Sequence, residues 1–134
     1  MKKILYFGIF ILLVFNVNIY GKEGKNHLAL RADTLKTDSV EYELVVFDPG
    51  FETWLLNQHP MNYYSKEYYE TKNLFYVNEW NYRYDHPLQY GNLYETKIDY
   101  SHNVDYGLEL NYKLYYYFQF FEEQNHVSLL GNRE

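Results

Sequence analysis

The sequence predicts a small single-domain α+β fold, in which a two-stranded antiparallel or mixed β-ribbon packs on two long aromatic-rich helices and one short helix. The chain has 134 residues, the length of one domain. Two segments alternate apolar and polar residues with the period of a strand, and two longer segments repeat aromatic residues with the period of a helix. Strands and helices in this mixed order are typical of a compact α+β domain.

The first predicted strand covers residues 40–47, VEYELVVF, in which apolar positions alternate with two glutamates. The Asp-Pro-Gly sequence that follows should end it. We expect Asp48 to cap a short helix that has Pro49 at its first position and ends before Pro60. The buried face of this helix would carry Phe51, Trp54, Leu55 and Gln58.

A longer helix is predicted from its cap Ser65 to about Asp85, just before Pro87. Along one side of it lie Tyr69, Tyr76, Trp80 and Tyr84, with Asn73 and Val77 between them. Ion pairs at i,i+4 spacing are expected on its flanks. They are Lys66 with Glu70 and Glu79 with Arg83. Residues 87–92, PLQYGN, are predicted to form a turn.

The second predicted strand covers residues 93–100, LYETKIDY. A single strand cannot satisfy its own backbone hydrogen bonds, so we expect residues 40–47 and 93–100 to pair with each other. The last helix is predicted from about Tyr106 to Gln124, with Asp105 as its cap. Its core stripe would be Leu110, Leu114, Tyr117, Phe118 and Phe121.

The last predicted helix carries more rings than one buried stripe can use, with seven aromatic residues among residues 110–121. The rings beside the stripe are Tyr112, Tyr115, Tyr116 and Phe120. Three interpretations are open: other elements bury the helix on both sides, the rings form an exposed binding face, or they insert into a membrane. The helix has three glutamates and one lysine, which disfavours docking on anionic lipid.

Residues 1–21 are predicted to be a signal peptide. Lys2 and Lys3 precede an apolar run of twelve residues, which is shorter than the about 20 that a membrane-spanning helix needs. A retained N-terminal anchor is the alternative. Residues 22–39 are then predicted as a flexible linker and residues 40–126 as the aromatic-rich α+β domain. We therefore expect an exported protein of the periplasm or cell envelope, with no stable membrane span after signal removal.

Charge and composition exclude several classes of function. Loss of residues 1–21 would take the net charge from −6 to −8, because it removes Lys2, Lys3 and no acid. Phosphate backbones would be repelled, so no nucleic acid is expected as a partner. The chain has no cysteine, which excludes disulfides, thiol catalysis and thiolate metal sites. Its five histidines show no zinc-binding spacing and no nucleotide-binding fingerprint is present, so no cofactor is expected.

Three stretches resemble a known family: YELVVFDPGFETWL, YYSKEYYETKNLFYVNEWNYR and IDYSHNVDYGLELNYKLYYYFQFF. They are similar to domain-of-unknown-function family 6146, a group of short, exported, uncharacterised proteins of Gram-negative bacteria. The resemblance covers residues 40–121 and implies a single domain with an envelope location. It implies no catalytic roles. Relatives often resemble lipoproteins with a cysteine closing the signal, which this chain lacks.

The hypothesis for function is a non-enzymatic binding or structural module of the envelope. It would present a tyrosine-rich surface to a protein or glycan partner, since tyrosine supplies large contact area at low entropic cost. The predicted binding residues are Trp80, Tyr84, Tyr112, Tyr115 and Tyr116.

The alternative is a small glycan or peptidoglycan hydrolase. Glycosidases use two carboxyl groups about 5–10 Å apart, and aromatic rings surround Glu79 in VNEWNYR. Glu79 would be the acid, with Asp48 or Asp85 as its partner. The competing interpretation is that Glu79 pairs with Arg83 on a solvated flank while Trp80 packs in the core.

A calcium site is a weaker alternative in the loop before the last helix. Oxygen donors occupy alternate positions there, as in an EF-hand loop: Asp99, Ser101, Asn103 and Asp105. Val104 stands where such a loop needs glycine, and Leu110 where it needs a bidentate glutamate. The other interpretation is an Asx-turn in which Asp105 caps the helix.

Overall fold

The computed structural model describes residues 4–6, 28–34 and 40–131, with side chains from residue 42 onward. Its strands are Ile4–Tyr6 (β1), Leu28–Thr34 (β2) and Val40–Val46 (β3), which form an antiparallel sheet in the order β1-β2-β3. The helices of the described residues are Phe51–Leu55 (α1), Lys66–Asp85 (α2), Pro87–Tyr90 (α3) and Gly107–Asn125 (α4). Helices α1, α2 and α4 match predicted helices, and α3 replaces the predicted turn at 87–92.

The strand predicted at 40–47 is confirmed as β3, but its partner is β2. Leu28 lies opposite Val46 and Thr34 opposite Val40. Pairing across the short connection at 35–39 closes a smaller loop than pairing with residues 93–100 would, and so costs less chain entropy. The predicted ribbon between 40–47 and 93–100 is therefore wrong.

The N-terminal predictions fall mostly outside the described residues. Of the predicted signal peptide, residues 1–21, the structure describes only β1. β2 falls within residues 22–39, which were predicted as a flexible linker, and at 28–34 the chain is a strand.

Residues 93–100 keep the predicted alternation of burial but do not form a strand. Side chains of α2 bind their backbone instead. The Asn81 amide donates from Nδ2 to the Ile98 carbonyl oxygen at 2.9 Å and accepts the Ile98 N–H at its Oδ1 at 2.8 Å. The Trp80 Nε1–H donates to the Thr96 carbonyl oxygen at 2.8 Å. Since a helix already satisfies these groups, no neighbouring strand is needed there.

Helix α1 begins differently from the prediction. Its N-cap is Gly50, whose φ of +88° is the left-handed conformation that glycine adopts readily. Asp48 lies two residues earlier, where its Oδ2 accepts a hydrogen bond from the Tyr117 hydroxyl at 3.1 Å. The predicted buried face is confirmed: Phe51 and Leu55 are buried, and Trp54 and Gln58 are half-buried.

The two long helices begin close to the predicted positions. Ser65 caps α2 as predicted, since its Oγ accepts the Tyr68 N–H at 3.2 Å. The N-cap of α4 is Tyr106, one residue later than predicted. Asp105 still serves this end of the helix, because its Oδ1 accepts the Gly107 N–H at 3.0 Å.

Helices α2 and α4 pack against each other and supply most of the core. The predicted stripe of α4 is buried, which confirms it. The predicted face of α2 is also buried except for Tyr84, which is 37% exposed. Ring contacts join the two helices, with the Trp80 ring 4.6 Å from Phe121 and the Tyr76 ring 4.8 Å from Phe118.

The rings beside the α4 stripe are covered as well. Tyr112, Tyr116 and Phe120 are buried and Tyr115 is half-buried. From α1, the Trp54 ring lies 5.5 Å from Phe120. This arrangement confirms the interpretation in which neighbouring elements cover α4 on both sides. In the described part of the chain, no helix is both long and apolar enough for a membrane crossing.

Candidate functional site

The predicted binding residues divide into buried and accessible rings. Trp80, Tyr112 and Tyr116 are only 3%, 8% and 2% exposed. Tyr84 and Tyr115 keep accessible surface. Buried rings cannot present their faces to a partner, so the predicted tyrosine-rich surface is corrected at these three positions.

A group of rings does reach the surface, and sequence reasoning missed all of them except Tyr115. We call it the tyrosine array, and it consists of His59, Tyr63, Tyr64, Tyr68 and Tyr115. The rings of His59 and Tyr63 stack at 3.8 Å and those of Tyr64 and Tyr68 at 4.1 Å, measured between centroids. The Tyr115 ring lies 5.9 Å from Tyr68. His59 and Tyr63 are exposed, and the other three are half-buried.

Local structure places the tyrosine array where the loop after α1 enters α2. Tyr64 and Tyr68 lie four residues apart across the α2 cap, a spacing that brings side chains onto one face. The Tyr112 hydroxyl donates to the His59 carbonyl oxygen at 3.0 Å, which ties the loop to α4. The repeated tyrosine pair in YYSKEYY, residues 63–69, is the sequence signal that would have found this array.

Two hydroxyls of the tyrosine array, those of Tyr64 and Tyr115, have a pKa raised above the ordinary value of tyrosine. Desolvation and the neighbouring Tyr68 raise the pKa of Tyr64. Burial, followed by the hydrogen bond to Tyr68, raises the pKa of Tyr115. The Lys72 Nζ lies over one of these rings, 5.7 Å from the centroid of Tyr68. The tyrosine array therefore offers ring faces, together with the uncharged hydroxyls of Tyr64 and Tyr115 as hydrogen-bond donors.

The three carboxylates of the alternative hydrolase site lie in different surroundings. The Glu79 Oε1 pairs with the Arg83 Nε at 2.7 Å, as the competing interpretation predicted. Asp85 pairs with Lys97 at 2.8 Å, and Asp48 accepts a hydrogen bond from a tyrosine of α4. Glu79 and Asp85 are six residues apart on α2, which turns their side chains by about 240° around the helix axis. The geometry does not direct this pair of carboxylates at one bond.

Glu79 does line a cleft of about 480 Å³ between α2 and the segment 126–131 that follows α4. Its lining residues are Lys72, Phe75, Asn78, Glu79, Leu129, Leu130 and Gly131. The Arg83 Nη2 donates to the Ser128 carbonyl oxygen at 2.7 Å and so fastens this segment to α2. Arg83 therefore joins an ion pair on the helix to the backbone of the cleft wall.

Glu122 fastens the same segment from α4, and sequence reasoning missed it. Its Oε1 accepts the Leu129 N–H at 2.6 Å. Burial raises the pKa of the Glu122 carboxyl, against the opposing effects of the Leu129 hydrogen bond and the Arg83 charge. The glutamate pair at the end of α4 gave no sign of this, because such pairs are typical of a solvated helix end.

The residues of the calcium alternative form turn contacts in the loop before α4. The Ser101 Oγ accepts the Asn103 N–H at 3.3 Å. The Asp105 Oδ1 accepts from the Lys66 Nζ at 3.0 Å, and this contact lowers the pKa of the Asp105 carboxyl. Asp99 is exposed. The Asx-type contact is the bond from the Gly107 N–H to the Asp105 Oδ1. Among the described residues, no group of three or more His, Asp or Glu side chains is placed to hold a metal ion.

The comparisons with known proteins give one match. The model of DUF6146, a family of unknown function, matches residues 4–132. No curated protein and no solved structure matches the chain. The family match spans nearly all of the sequence and includes the three stretches quoted above. The chain therefore belongs to DUF6146, a family of unknown function.

Proposed function

We propose that this chain is a non-enzymatic module of the cell envelope that binds an uncharged glycan through the tyrosine array. The observation that carries the proposal is the Tyr63 ring, which is 54% exposed while one of its faces stacks on His59 at 3.8 Å with 6° between the planes. A ring supported on one face presents the other as a flat, rigid surface. Rigid aromatic contact area costs little conformational entropy on binding.

The chemistry of the tyrosine array suits a sugar better than a charged ligand. A pyranose ring has an apolar C–H face that packs on an aromatic ring, and hydroxyls at its edge that need polar partners. Tyr63 offers the ring face, and the phenols of Tyr64 and Tyr68 offer hydroxyls beside it. The chain has a net charge of −6, which disfavours phosphorylated and other anionic ligands.

Export is the second part of the proposal, and its support lies in residues 1–21. Cleavage there would remove β1 and leave β2 and β3 as a hairpin. We expect mass spectrometry of fractionated cells to find the chain in the periplasm or envelope, with its first residue near Lys22. The intact chain in the cytosol would contradict this part.

The binding test compares two exposed tyrosines that each pack on a histidine ring. Tyr63 contacts His59, and Tyr82, which is 47% exposed, contacts His86 at 4.1 Å. The measurement is retention of the purified full-length chain on immobilised uncharged polysaccharides. We expect Tyr63→Ala to weaken binding about tenfold or more, which is about 1.4 kcal/mol, and Tyr82→Ala to bind like the wild type.

Three outcomes would overturn this part of the proposal. Failure of the wild-type chain to bind any polysaccharide of the panel would do so, as would equal losses in both variants. Recovery of a defined protein from cross-linked envelope fractions, lost in Tyr63→Ala, would assign the tyrosine array to a protein partner instead.

A glycan or peptidoglycan hydrolase remains the second candidate because Glu79 lines the cleft beside α2. Its Oε1 is engaged by the Arg83 Nε at 2.7 Å, so this ion pair would have to open before Glu79 could act on a substrate. The test is release of soluble fragments from purified peptidoglycan. Release by the wild type that Glu79→Gln abolishes would support a hydrolase, and an inert wild type would exclude it for this substrate.

A further inference from the structure

We propose that Tyr64 and Tyr68 form an oxidative cross-linking site, at which a one-electron oxidant joins the two rings through a carbon–carbon bond. This modification does not depend on the proposed binding function. It follows from the geometry, exposure and composition around one pair of rings.

The geometry brings the two rings into stacking contact. Their centroids are 4.1 Å apart and their planes differ by 19°. At this separation, carbons of one ring lie in van der Waals contact with the other ring. Two tyrosyl radicals formed here are already in contact, so the rings only have to turn from their stacked orientation to join edge to edge.

A second stacked pair shows why exposure matters. The rings of Tyr100 and Tyr106 are 4.9 Å apart with 22° between their planes. Tyr106 is only 5% exposed, and the Tyr100 hydroxyl donates to the Asn111 Oδ1 at 2.7 Å. The Tyr106 ring is therefore shielded from an oxidant in solution, while Tyr100 is half-buried. This pair serves as an internal comparison.

The Tyr64–Tyr68 pair has a path for electrons to the surface. Tyr63 is 54% exposed, and its ring centroid lies 4.7 Å from that of Tyr64. An oxidant that removes an electron from Tyr63 leaves a tyrosyl radical there. Tyr64 can transfer an electron to that radical and so become the radical itself. The chain has no cysteine, so no thiol of its own competes for the oxidising equivalent.

The chemistry balances with two oxidising equivalents. Each phenol loses one electron and one proton to give a neutral tyrosyl radical, and a peroxidase passes both electrons and both protons to one hydrogen peroxide, forming two waters. The radicals then combine between the ring carbons next to each hydroxyl. Each coupled carbon transfers its hydrogen to its ring oxygen. The product keeps both hydroxyls and is lighter by two hydrogen atoms.

The cross-link would fix the loop after α1 to the first turn of α2. Tyr64 precedes the Ser65 cap and Tyr68 follows it, so the new bond spans the start of the helix. The bond would hold the two rings edge to edge in place of their stack.

The test treats the purified full-length chain with a peroxidase and hydrogen peroxide and then digests the monomer with trypsin. Lys66 lies between the two tyrosines, so cleavage there separates residues 37–66 from residues 67–72 unless a bond joins them. We expect the two peptides to stay joined, with the mass lower by two hydrogen atoms and the fluorescence of dityrosine.

Variants locate the bond. Tyr64→Phe and Tyr68→Phe should each abolish the joined peptide. Tyr69→Phe is the matched control, because this fully buried tyrosine lies in the same tryptic peptide as Tyr68. Its ring is 5.8 Å from that of Tyr64. This variant should leave the joined peptide unchanged. Fragmentation of the joined wild-type peptide in the mass spectrometer identifies the two cross-linked residues without any variant. The test therefore does not depend on whether each variant folds.

The proposal is overturned if the wild-type monomer gives no joined peptide or if the bond maps to residues other than this pair. It is also overturned if cross-links form only between molecules, which would show that exposed tyrosines react before the stacked pair does.

Discussion

Asn81 uses both polar atoms of its amide on one residue of a neighbouring segment. It donates to the carbonyl oxygen of Ile98 and accepts the N–H of the same residue, at 2.9 Å and 2.8 Å. An adjacent antiparallel strand makes the same pair of bonds. A helix side chain therefore takes the place of a strand and holds Ile98, which is buried, against the core.

Replacing Asn81 with alanine should destabilise the fold. Two backbone groups of Ile98 would lose their partners, and each such loss in a buried place costs about 1–3 kcal/mol. We expect Asn81→Ala to lower the free energy of unfolding by about 2–4 kcal/mol in a urea titration. The control is Asn78→Ala, an exposed asparagine on the same helix, which should change it by less than about 0.5 kcal/mol. Equal effects would contradict the role of Asn81.

Glu122 should make stability fall as the pH rises. Burial raises the pKa of its carboxyl in the folded chain above the usual value of 4.5. Between these two values the folded state binds more protons than the unfolded state, so the free energy of unfolding decreases as pH rises through that window. Glu122→Gln keeps an acceptor for Leu129 and removes the charge. We expect this variant to gain stability relative to the wild type between pH 4 and pH 7, measured by urea titration at several pH values.

Asp105 provides a comparison with the opposite sign. Lys66 lowers the pKa of its carboxyl below the usual value of 3.8. Its contribution to stability is present above that value and is lost as the pH falls through the folded pKa. Asp105→Asn should therefore be less stable than the wild type at pH 7, with a difference that shrinks in acid and stays small because the side chain is 71% exposed. If both variants showed the same pH trend, our assignment of one of these shifts would be wrong.

At the scale of elements, the two long helices were the most predictable part of the chain. The spacing of apolar residues located α2 and α4, and Ser65 was correctly predicted as the N-cap of α2. Such signals are local, because a cap and a helical face involve residues three and four apart. The position of Gly50 was missed because Asp48 is an equally good cap by residue type, and its carboxylate is used on Tyr117 instead.

The strength of the α2 cap can be measured directly. Ser65→Ala removes the acceptor of the Tyr68 N–H, and caps of this kind contribute about 1 kcal/mol. We expect a loss of about that size in thermal or urea unfolding. Thr71→Ala, at an exposed position inside the same helix, should be neutral or slightly stabilising, since alanine has the higher helix propensity. A larger loss at Thr71 would contradict this account of the cap.

Strand pairing was the least predictable part of the fold. The alternation of apolar and polar residues at 93–100 predicted correctly which side chains are buried. It does not predict which groups form hydrogen bonds with the backbone of this segment. That depended on Asn81, a distant asparagine with no distinguishing local pattern. The tyrosine array was missed for a related reason, since Tyr115 comes from α4 and meets Tyr64 and Tyr68 only after the helices pack.

On the scale of the whole molecule, the described domain is held together by packed rings. No cysteine is present to cross-link it. The segment after α4 is the last described part of this structure, and it is fastened by Arg83, Glu122 and the buried side chain of Leu129. Polar contacts from α2 and α4 and the buried side chain of Leu129 therefore hold this wall of the cleft beside α2.

Removing the Leu129 side chain should loosen this closure. Leu129 is 3% exposed, and replacing a buried leucine by alanine costs about 2–5 kcal/mol. We expect Leu129→Ala to lower the free energy of unfolding within that range and to increase amide hydrogen exchange in residues 126–131. Leu130→Ala, at the neighbouring half-buried position, should cost less than half as much. A result in which Leu130 is the more costly site would reverse the assignment of the anchor.

The ring packing also determines how the molecule handles light. The chain has 18 tyrosines and only two tryptophans. Trp80 lies 5.1 Å from the Tyr94 ring and Trp54 lies 6.3 Å from the Tyr116 ring. Excitation absorbed by tyrosine in the native state will pass to these indoles and leave as tryptophan emission. Unfolding separates donors from acceptors and restores tyrosine emission, so the protein carries its own optical reporter of the folded state.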